Sequence, residues 1–385
     1  MKTKLISLLM ALVMLMSMAA CGSAKDAPAD VPPSQPAAEQ KEPAAEPVNE
    51  PAEPEEADDP DSAPNIFVDD TGREVQVPGQ ITRIVPSGPL AQIVLFAIAP
   101  DMFVGLASHW DDGARGIIPE AYFDLPYFGQ LYGSTELNVE ELALADPQII
   151  IDIGDTKDAA AEDLDTLQEQ TTIPSVFISA TLETMPDTYR KLGALLGKQE
   201  QGEKLAEFCE RVYDRAMEVM EQVGDNKVNT LCVLGEEGLN VLAATSYHAE
   251  LLDMLTNNLA VVDEPSSRGL GNSVDMEQIA VWNPDFILFE PDSIYDTVAD
   301  MDTWGEITAV ANGNYVEIPN GPHNWMGMPP SVQRYLSLIW LPAVLYPDYC
   351  DYDVKAEVQQ YYKLFYGAEL TEEQYDTLTA NAFLK

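Results

Sequence analysis

Short apolar runs alternate with helical stretches along most of the chain, beginning near residue 65. The first is a strand–turn–strand pattern at 66–75, in which Asp70, Thr71 and Gly72 supply the turn. Four further strands and two helices are predicted up to residue 178, the strands at 83–85, 102–106, 149–153 and 175–178 and the helices at 90–99 and 139–145. This alternation favours a parallel sheet covered by helices.

The same alternation restarts after residue 227. Strands are predicted at 228–234, 239–243, 286–289 and 315–318, and helices at 249–256, 275–281, 331–345 and in the tail from 354. The pattern therefore predicts an α/β fold with two doubly wound lobes, residues 65–184 and 225–385. A ligand cleft is expected between them.

One long helix is predicted to link the lobes, over 185–224. Pro186 suits a first helical turn, and apolar residues repeat at three-and-four spacing from Leu205 to Val223. Gly197 and Gly202 are the two positions at which it could be interrupted. A continuous helix would be about 55 Å long at about 1.5 Å per residue.

An internal repeat relates the two lobes. Residues 138–151 align without gaps with residues 275–288, and each segment predicts a short helix that ends at a proline and leads into a buried strand. The repeat supports two lobes of similar construction.

The N-terminus has the pattern of an exported, anchored protein. Residues 1–21 contain two lysines, a short apolar run and small residues before Cys21, which resembles a bacterial lipobox and predicts a lipoprotein signal peptide ending at a lipid-modified cysteine. An unlipidated export signal is the alternative. Residues 22–64 hold ten prolines and twelve acidic side chains, so they predict a disordered tether of roughly 35 Å.

Charge and motifs exclude several functions. The 385 residues include 65 acidic and 20 basic side chains, a net charge of −45, which disfavours a nucleic-acid partner. The sequence has no Gly-x-Ser-x-Gly, no His-Glu-x-x-His and no Walker-type loop, so we expect no enzyme. A membrane-anchored metal-dependent hydrolase that uses the three histidines is the alternative from another class.

Candidate ligand groups lie in loops that follow predicted strands, where doubly wound sheets bind ligands. All three histidines fall in such loops, and His109 and His323 are possible ligands to a chelated metal. Aromatic rings could stack on a planar ligand, and arginines could hold an anion. The predicted ligand-binding residues are Ser87, His109, Trp110, Tyr132, His248, Arg268, Tyr295, His323, Trp325 and Arg334.

The order of these features resembles the solute-binding proteins that feed ABC importers of iron–siderophores, haem and cobalamin, over roughly residues 65–350. The resemblance implies lobes joined by a rigid helix, small opening motions, and an ABC permease with its ATPase subunits as partners. It also implies that Glu140 and Glu277, at equivalent positions of the repeat, dock onto permease arginines. Solvated helix-start residues are the alternative for both glutamates.

We therefore expect an extracytoplasmic, lipid-anchored, monomeric receptor without a cofactor. Its predicted ligand is a metal chelate of the siderophore, haem or cobalamin type. An oxyanion such as molybdate or tungstate is the alternative ligand, although the acidic character of the chain argues against it.

Overall fold

A β-hairpin opens the part of the chain that the computed structural model describes, which comprises residues 64–132, 135–266 and 269–385. Strands β1 (Asn65–Val68) and β2 (Glu74–Val77) pair antiparallel, as predicted. Asp69 stabilises the turn, because its Oδ1 accepts hydrogen bonds from the backbone N–H groups of Thr71 and Arg73, both over 3.0 Å. The leader, with Cys21, and the predicted tether up to residue 63 lie outside the described residues.

The first lobe is built on a parallel sheet with strand order β3-β4-β5. Its strands and helices, in chain order, are β3 (Ile84–Pro86), α1 (Pro89–Ile98), α2 (Val139–Leu144), β4 (Ile149–Gly154), α3 (Ala160–Thr171) and β5 (Ser175–Ser179). The run at 102–106, predicted as a strand, forms only single bridges to Ile84 and Tyr127. The loop that follows it is held by Gln92, whose Oε1 accepts from the N–H groups of Ala107 and Ser108.

Two helices occupy the segment that was predicted as one. Helix α4 (Met185–Leu196) ends at Gly197, whose φ of +65° is left-handed, and α5 (Gln199–Val223) begins two residues later. The prediction of a single long helix is therefore wrong at Gly197, and α5 alone is about 37 Å long. Helix α5 continues through Gly202. The missing side chain lets α4 approach closely, since an added Cβ would lie 2.6 Å from the Tyr189 carbonyl oxygen.

The second lobe contains a mixed sheet with strand order β11-β10-β6-β7-β9, and β8 pairs with β6. Pairs β10–β11, β10–β6 and β6–β8 are parallel, whereas β6–β7 and β7–β9 are antiparallel. The strands are β6 (Asn229–Leu234), β7 (Asn240–Val241), β8 (Asn257–Asn258), β9 (Asn272–Ser273), β10 (Phe286–Phe289) and β11 (Tyr315–Glu317). The helices are α6 (Glu250–Leu255), α7 (Met276–Trp282), α8 (Thr308–Asn312), α9 (Arg334–Leu345), α10 (Val354–Tyr361) and α11 (Glu372–Leu378).

One hydrophobic core is shared by both lobes and the helices between them. It includes Ile151 of the first sheet, Leu205 and Phe208 of α5, and Leu288 of the second sheet, together with Trp340 of α9. Smaller cores cover the opposite face of each sheet. Separating the lobes widely would expose the shared core to water, so the packing favours small relative motions.

The tail of the chain packs back on the linking helices. A π-helical turn, Tyr362–Tyr366, continues α10 and places Phe365 against Phe208 of α5, with ring centroids 5.4 Å apart. Among the described residues, we find no helix that is both long and apolar enough to cross a membrane.

Candidate functional site

A cavity of about 400 Å³ lies between the two lobes, at the carboxyl ends of strands β6 and β10 and beside the start of α1. Its volume falls in the range of about 300–1,000 Å³ that small-molecule sites occupy. Both lobes supply its wall: Pro89, Gln92, Ile93, Ser108, His109 and Asp111 come from the first, and Leu234, Gly235, Asn240, Gly269, Leu270, Glu290, Pro291, Asp292, Asn320, His323, Asn324, Met328 and Pro329 from the second.

His109 lies on the first-lobe side of the cavity, at the end of a loop fixed by Gln92. The Gln92 Nε2 donates to the carbonyl of Ser108 over 2.9 Å, and its Oε1 accepts from two backbone N–H groups of the same loop. The exposed imidazole of His109 stacks on Tyr127, with ring centroids 4.5 Å apart. The loop therefore presents an accessible, oriented imidazole to a ligand.

His323 lies on the opposite side and differs in its surroundings. Its Nε2 is buried and has no hydrogen-bond partner among the described residues. Burial lowers the pKa of the His323 imidazole to about 4, so the ring is neutral at neutral pH. A neutral imidazole nitrogen can accept a hydrogen bond or bind a metal.

Glu290 is a cavity residue that the sequence analysis missed. It is 7% exposed, and its Oε2 accepts a hydrogen bond of 2.6 Å from Asn324 Nδ2, whereas its Oε1 has no partner among the described residues. Burial, opposed by the Asn324 hydrogen bond and reinforced by the charge of Asp292, raises the pKa of Glu290 to about 7. Its position directly after the apolar strand β10 was the available signal, since strand carboxyl ends line such sites.

The charged groups of the cavity wall are acidic. Asp111, Glu290 and Asp292 contribute carboxyl groups, and none of the described wall residues is a lysine or arginine. Within the described residues, no group of three or more histidine, cysteine or acidic side chains is arranged to hold a metal ion. The cavity therefore offers isolated donors and acceptors to a ligand.

Two predicted ligand residues lie in the first lobe but off the cavity wall. The Ser87 hydroxyl donates to the carboxylate of Asp152 in a buried pair. The Tyr132 hydroxyl donates to Asp163 over 2.8 Å, and the Lys157 ammonium lies 3.6 Å from the centre of its ring. Both side chains are thus engaged by their own lobe.

Three predicted aromatic ligand residues belong to the packed interior, which corrects the expectation that they stack on a ligand. Trp325 is fully buried against Trp340, and Tyr295 is buried against Phe289. Trp110 is 6% exposed and packs edge-on against Phe96, with centroids 4.9 Å apart. Large aromatic side chains in loops were needed here for core volume, a use that sequence position cannot distinguish from ligand stacking.

Two of the predicted basic ligand residues, Arg334 and His248, lie off the cavity wall. Arg334 is 5% exposed and forms an ion pair with Glu250, while its Nε donates to the carbonyl of Ser331 over 3.3 Å. It is therefore occupied within the second lobe. The Nδ1 of His248 lies 3.4 Å from the carbonyl oxygen of Gly327, and His248 is not on the cavity wall. Arg268 lies outside the described residues.

The internal repeat folds into two equivalent helix–strand units. Asn138 accepts from the N–H of Glu141 at the start of α2, and Asp275 accepts from the N–H of Gln278 at the start of α7. Glu140 and Glu277 are the second residues of these helices, and both are exposed. Each acid lies in the first turn, where the helix dipole favours negative charge.

The equivalence extends beyond the glutamates. Leu144 and Val281, four residues after each glutamate, are 85% and 77% exposed. Asp146 and Asn283, two residues further, both have positive φ, at 49° and 40°. Each lobe therefore presents a carboxylate and an aliphatic side chain one helical turn apart.

A second cavity of about 590 Å³ adjoins the first, since both include Pro291 and Asn320. It lies between helix α11 and the loop at 113–117, and the Nε2 of Gln374 donates to the carbonyl of Gly116 over 3.5 Å. The tail thus bridges to the first lobe beside the candidate site.

Comparison with known proteins agrees with this architecture. A family model for periplasmic binding proteins matches residues 112–322. The chain is similar in structure to an ABC transporter solute binding protein from Sulfurospirillum deleyianum, with 27% identity and a TM-score of 0.74 over 82% of this chain and 99% of that one. A search of the curated proteins found no match.

Two further solved structures show the same fold. A periplasmic solute binding protein from Veillonella parvula has 24% identity and a TM-score of 0.68, over 83% of this chain and 98% of that one. The molybdate-binding protein MolA of Haemophilus influenzae, bound to molybdate, has 18% identity and a TM-score of 0.62, over 80% of this chain and 99% of that one.

The family match covers more than half of the chain, and this chain belongs to the periplasmic binding protein family. It is an ABC transporter solute-binding protein of a family that acts outside the cytoplasm, and it is not an enzyme. The resemblance and the fold class predicted from the sequence are confirmed.

Proposed function

We propose that this protein captures a metal chelate of the siderophore, haem or cobalamin type and delivers it to an ABC permease. The observation that carries the proposal is the cavity between the lobes, whose wall combines His109, His323 and acidic side chains. Imidazole nitrogens can complete the coordination sphere of a chelated metal, and the volume of about 400 Å³ suits a ligand larger than a small ion.

An oxyanion ligand is less well supported. Of the two arginines expected to hold an anion, Arg334 is buried in an ion pair with Glu250, and none of the described wall residues is a lysine or arginine. Asp111, Glu290 and Asp292 would repel an anion at short range. The similarity to MolA, at 18% identity, is a similarity of fold.

For delivery, we infer that Glu140 and Glu277 contact basic residues of the permease, one from each lobe. Their equivalent, exposed positions in the two helix–strand units support this role, as does the absence of an ion-pair partner for either glutamate within the described residues. A single exposed ion pair contributes about 0–1 kcal/mol, so docking would depend on both lobes together.

We further infer that Cys21 carries the lipid that anchors the protein, and that residues 22–64 hold the lobes away from the membrane. The lysine–apolar–small–cysteine order of the leader supports this inference. The receptor would act as a monomer, with the permease and its ATPase subunits as partners.

A thermal-shift panel tests the ligand class. The purified protein is heated with ferric siderophores, haem, cobalamin, molybdate and tungstate, and its absorbance spectrum is recorded for a co-purified chromophore. A ligand present at about 100 times its dissociation constant adds about 2.7 kcal/mol to stability, which raises the melting temperature measurably. Stabilisation by molybdate alone would contradict the chelate proposal.

A further inference from the structure

We propose that Glu290 receives a hydrogen-bond donor or a positive charge of the ligand, so that the cavity selects a neutral or cationic metal chelate over an anionic one. This inference rests on the proposed function and narrows its ligand class. It assigns a ligand contact to Glu290 of the second lobe, a residue that no sequence motif indicated.

The first observation is an unsatisfied oxygen. Glu290 lies on the cavity wall and is 7% exposed, yet only its Oε2 is hydrogen-bonded, to Asn324 Nδ2 at 2.6 Å. The Oε1 is buried without a partner among the described residues. A buried acceptor without a partner has lost its hydrogen bonds to water and gained none, so a ligand donor that reaches Oε1 recovers that cost.

The second observation is that Asn324 has a fixed orientation. Its Oδ1 accepts from the backbone N–H groups of Met326 and Gly327, over 2.9 and 3.2 Å. The amide nitrogen must therefore face Glu290, and it holds the carboxylate in place through Oε2. The second carboxylate oxygen is left for a group that comes from the cavity.

The third observation is the charge of the surroundings. The titratable groups around Glu290 are Asp292 in its own loop, the buried Cys232 thiol of β6, His323 on the following loop, and Asp111 and His109 across the cavity. His323 is neutral at neutral pH because burial lowers its pKa to about 4. An anionic chelate would meet three acidic side chains and no described lysine or arginine on the cavity wall.

The direction of the pH dependence distinguishes an ionised Glu290 that accepts a hydrogen bond from the ligand from a protonated Glu290 that donates one. A ligand donor or cation favours the ionised carboxylate, so binding should strengthen as pH rises past the Glu290 pKa, which burial raises to about 7. A ligand that accepts a hydrogen bond from the protonated carboxyl would bind more weakly over the same range.

The test measures affinity for two ferric chelates by tryptophan fluorescence at pH 6 and pH 8. One is a trishydroxamate chelate that carries a protonated amine, and the other is a polyanionic tris-catecholate chelate. We expect the wild-type protein to bind the trishydroxamate at least tenfold more tightly, with affinity that rises severalfold between pH 6 and pH 8.

Two variants complete the test. Glu290→Gln keeps the shape and the Asn324 contact, and it should weaken trishydroxamate binding at least tenfold and remove the pH dependence. Asp296→Asn is the matched control, since it removes an exposed carboxylate of the same segment that lies off the cavity wall, and it should change affinity less than threefold. The wild-type pH trend tests the inference even where Glu290→Gln folds poorly.

Three outcomes would overturn the inference while the chelate function stands: preference for the tris-catecholate, affinity that falls with rising pH, or unchanged affinity in Glu290→Gln. A protein that binds molybdate and neither chelate overturns the proposed function as well. The two failures are therefore distinguishable.

Discussion

Trp110 of the first lobe and His323 of the second lie with their ring centroids 5.8 Å apart and their planes at 42°. The pair joins the lobes beside the cavity, and His323 is also part of its wall. Neither Trp110 Nε1 nor His323 Nε2 has a hydrogen-bond partner among the described residues. A ligand that contacts His323 should therefore alter the environment of a nearby indole.

Replacing His109 and His323 by alanine should weaken chelate binding by more than tenfold, about 1.4 kcal/mol for each tenfold step. Both imidazoles lie on the cavity wall, one from each lobe. The dissociation constant is measured by the change in tryptophan fluorescence as ligand is added.

His248→Ala is the matched control for the histidine variants. This residue is the remaining histidine of the chain, but it lies off the cavity wall near the carbonyl of Gly327. Its replacement should change affinity less than threefold. A larger loss in His248→Ala than in the other two variants would mean that the ligand binds elsewhere.

Acidification should destabilise the protein partly through His323. Its folded pKa of about 4 lies below the ordinary value of 6.5, so its contribution to stability is present above pH 6.5 and is lost as pH falls through 4. The difference between these two pKa values corresponds to a loss of at most about 3 kcal/mol in the free energy of unfolding. Urea unfolding at pH 7 and pH 4.5 should show that His323→Gln loses less stability on acidification than the wild type does. Equal losses of stability would contradict this role of His323.

Charge reversal at both Glu140 and Glu277 should abolish ligand uptake by cells and leave ligand affinity intact. Both acids are exposed at the starts of equivalent helices, away from the cavity wall. Uptake of labelled ligand and its dissociation constant are measured in parallel.

The adjacent positions offer a control for the docking variants. Glu141 and Gln278 follow the two glutamates on the same helices and are also exposed. A variant with lysine at both of these positions should retain most of the ligand uptake of the wild type. If the two double variants lose uptake equally, or if the Glu140 and Glu277 variant loses affinity, the docking assignment is incorrect.

Cys21→Ala should release the protein from the membrane, because the leader would then lack its lipid attachment residue. Fractionation and immunoblotting of cells that express the variant measure the soluble and membrane-bound shares. A variant that remains with the membrane would refute the anchor.

Gly202→Ala should lower stability by about 1–3 kcal/mol, because the new methyl group would lie 2.6 Å from the Tyr189 carbonyl oxygen. The gain in helix propensity, at most about 1 kcal/mol, is smaller than this overlap. Gly113→Ala is the control, since no atom lies within 4 Å of its added Cβ. Both are compared by thermal unfolding, and an unchanged melting temperature in Gly202→Ala would contradict the close helix contact.

Much of the sheet architecture could be read from local pattern. Strands β4, β5, β6 and β10 match the predicted strands to within one residue at each end, because strands buried on both faces are rich in apolar side chains. The repeat likewise predicted the equivalent units around Glu140 and Glu277, since helix caps and prolines act through neighbouring residues.

The sequence by itself therefore determined the alternation of strands and helices, the paired lobes and the family. Tertiary structure alone decided that Gly202 serves a helix contact while Gly197 ends a helix, although both are glycines in a helical pattern. It also placed Trp325 in the core and Glu290 on the cavity wall. Periodicity reports on neighbours along the chain, whereas burial of a loop side chain depends on segments that are distant in sequence.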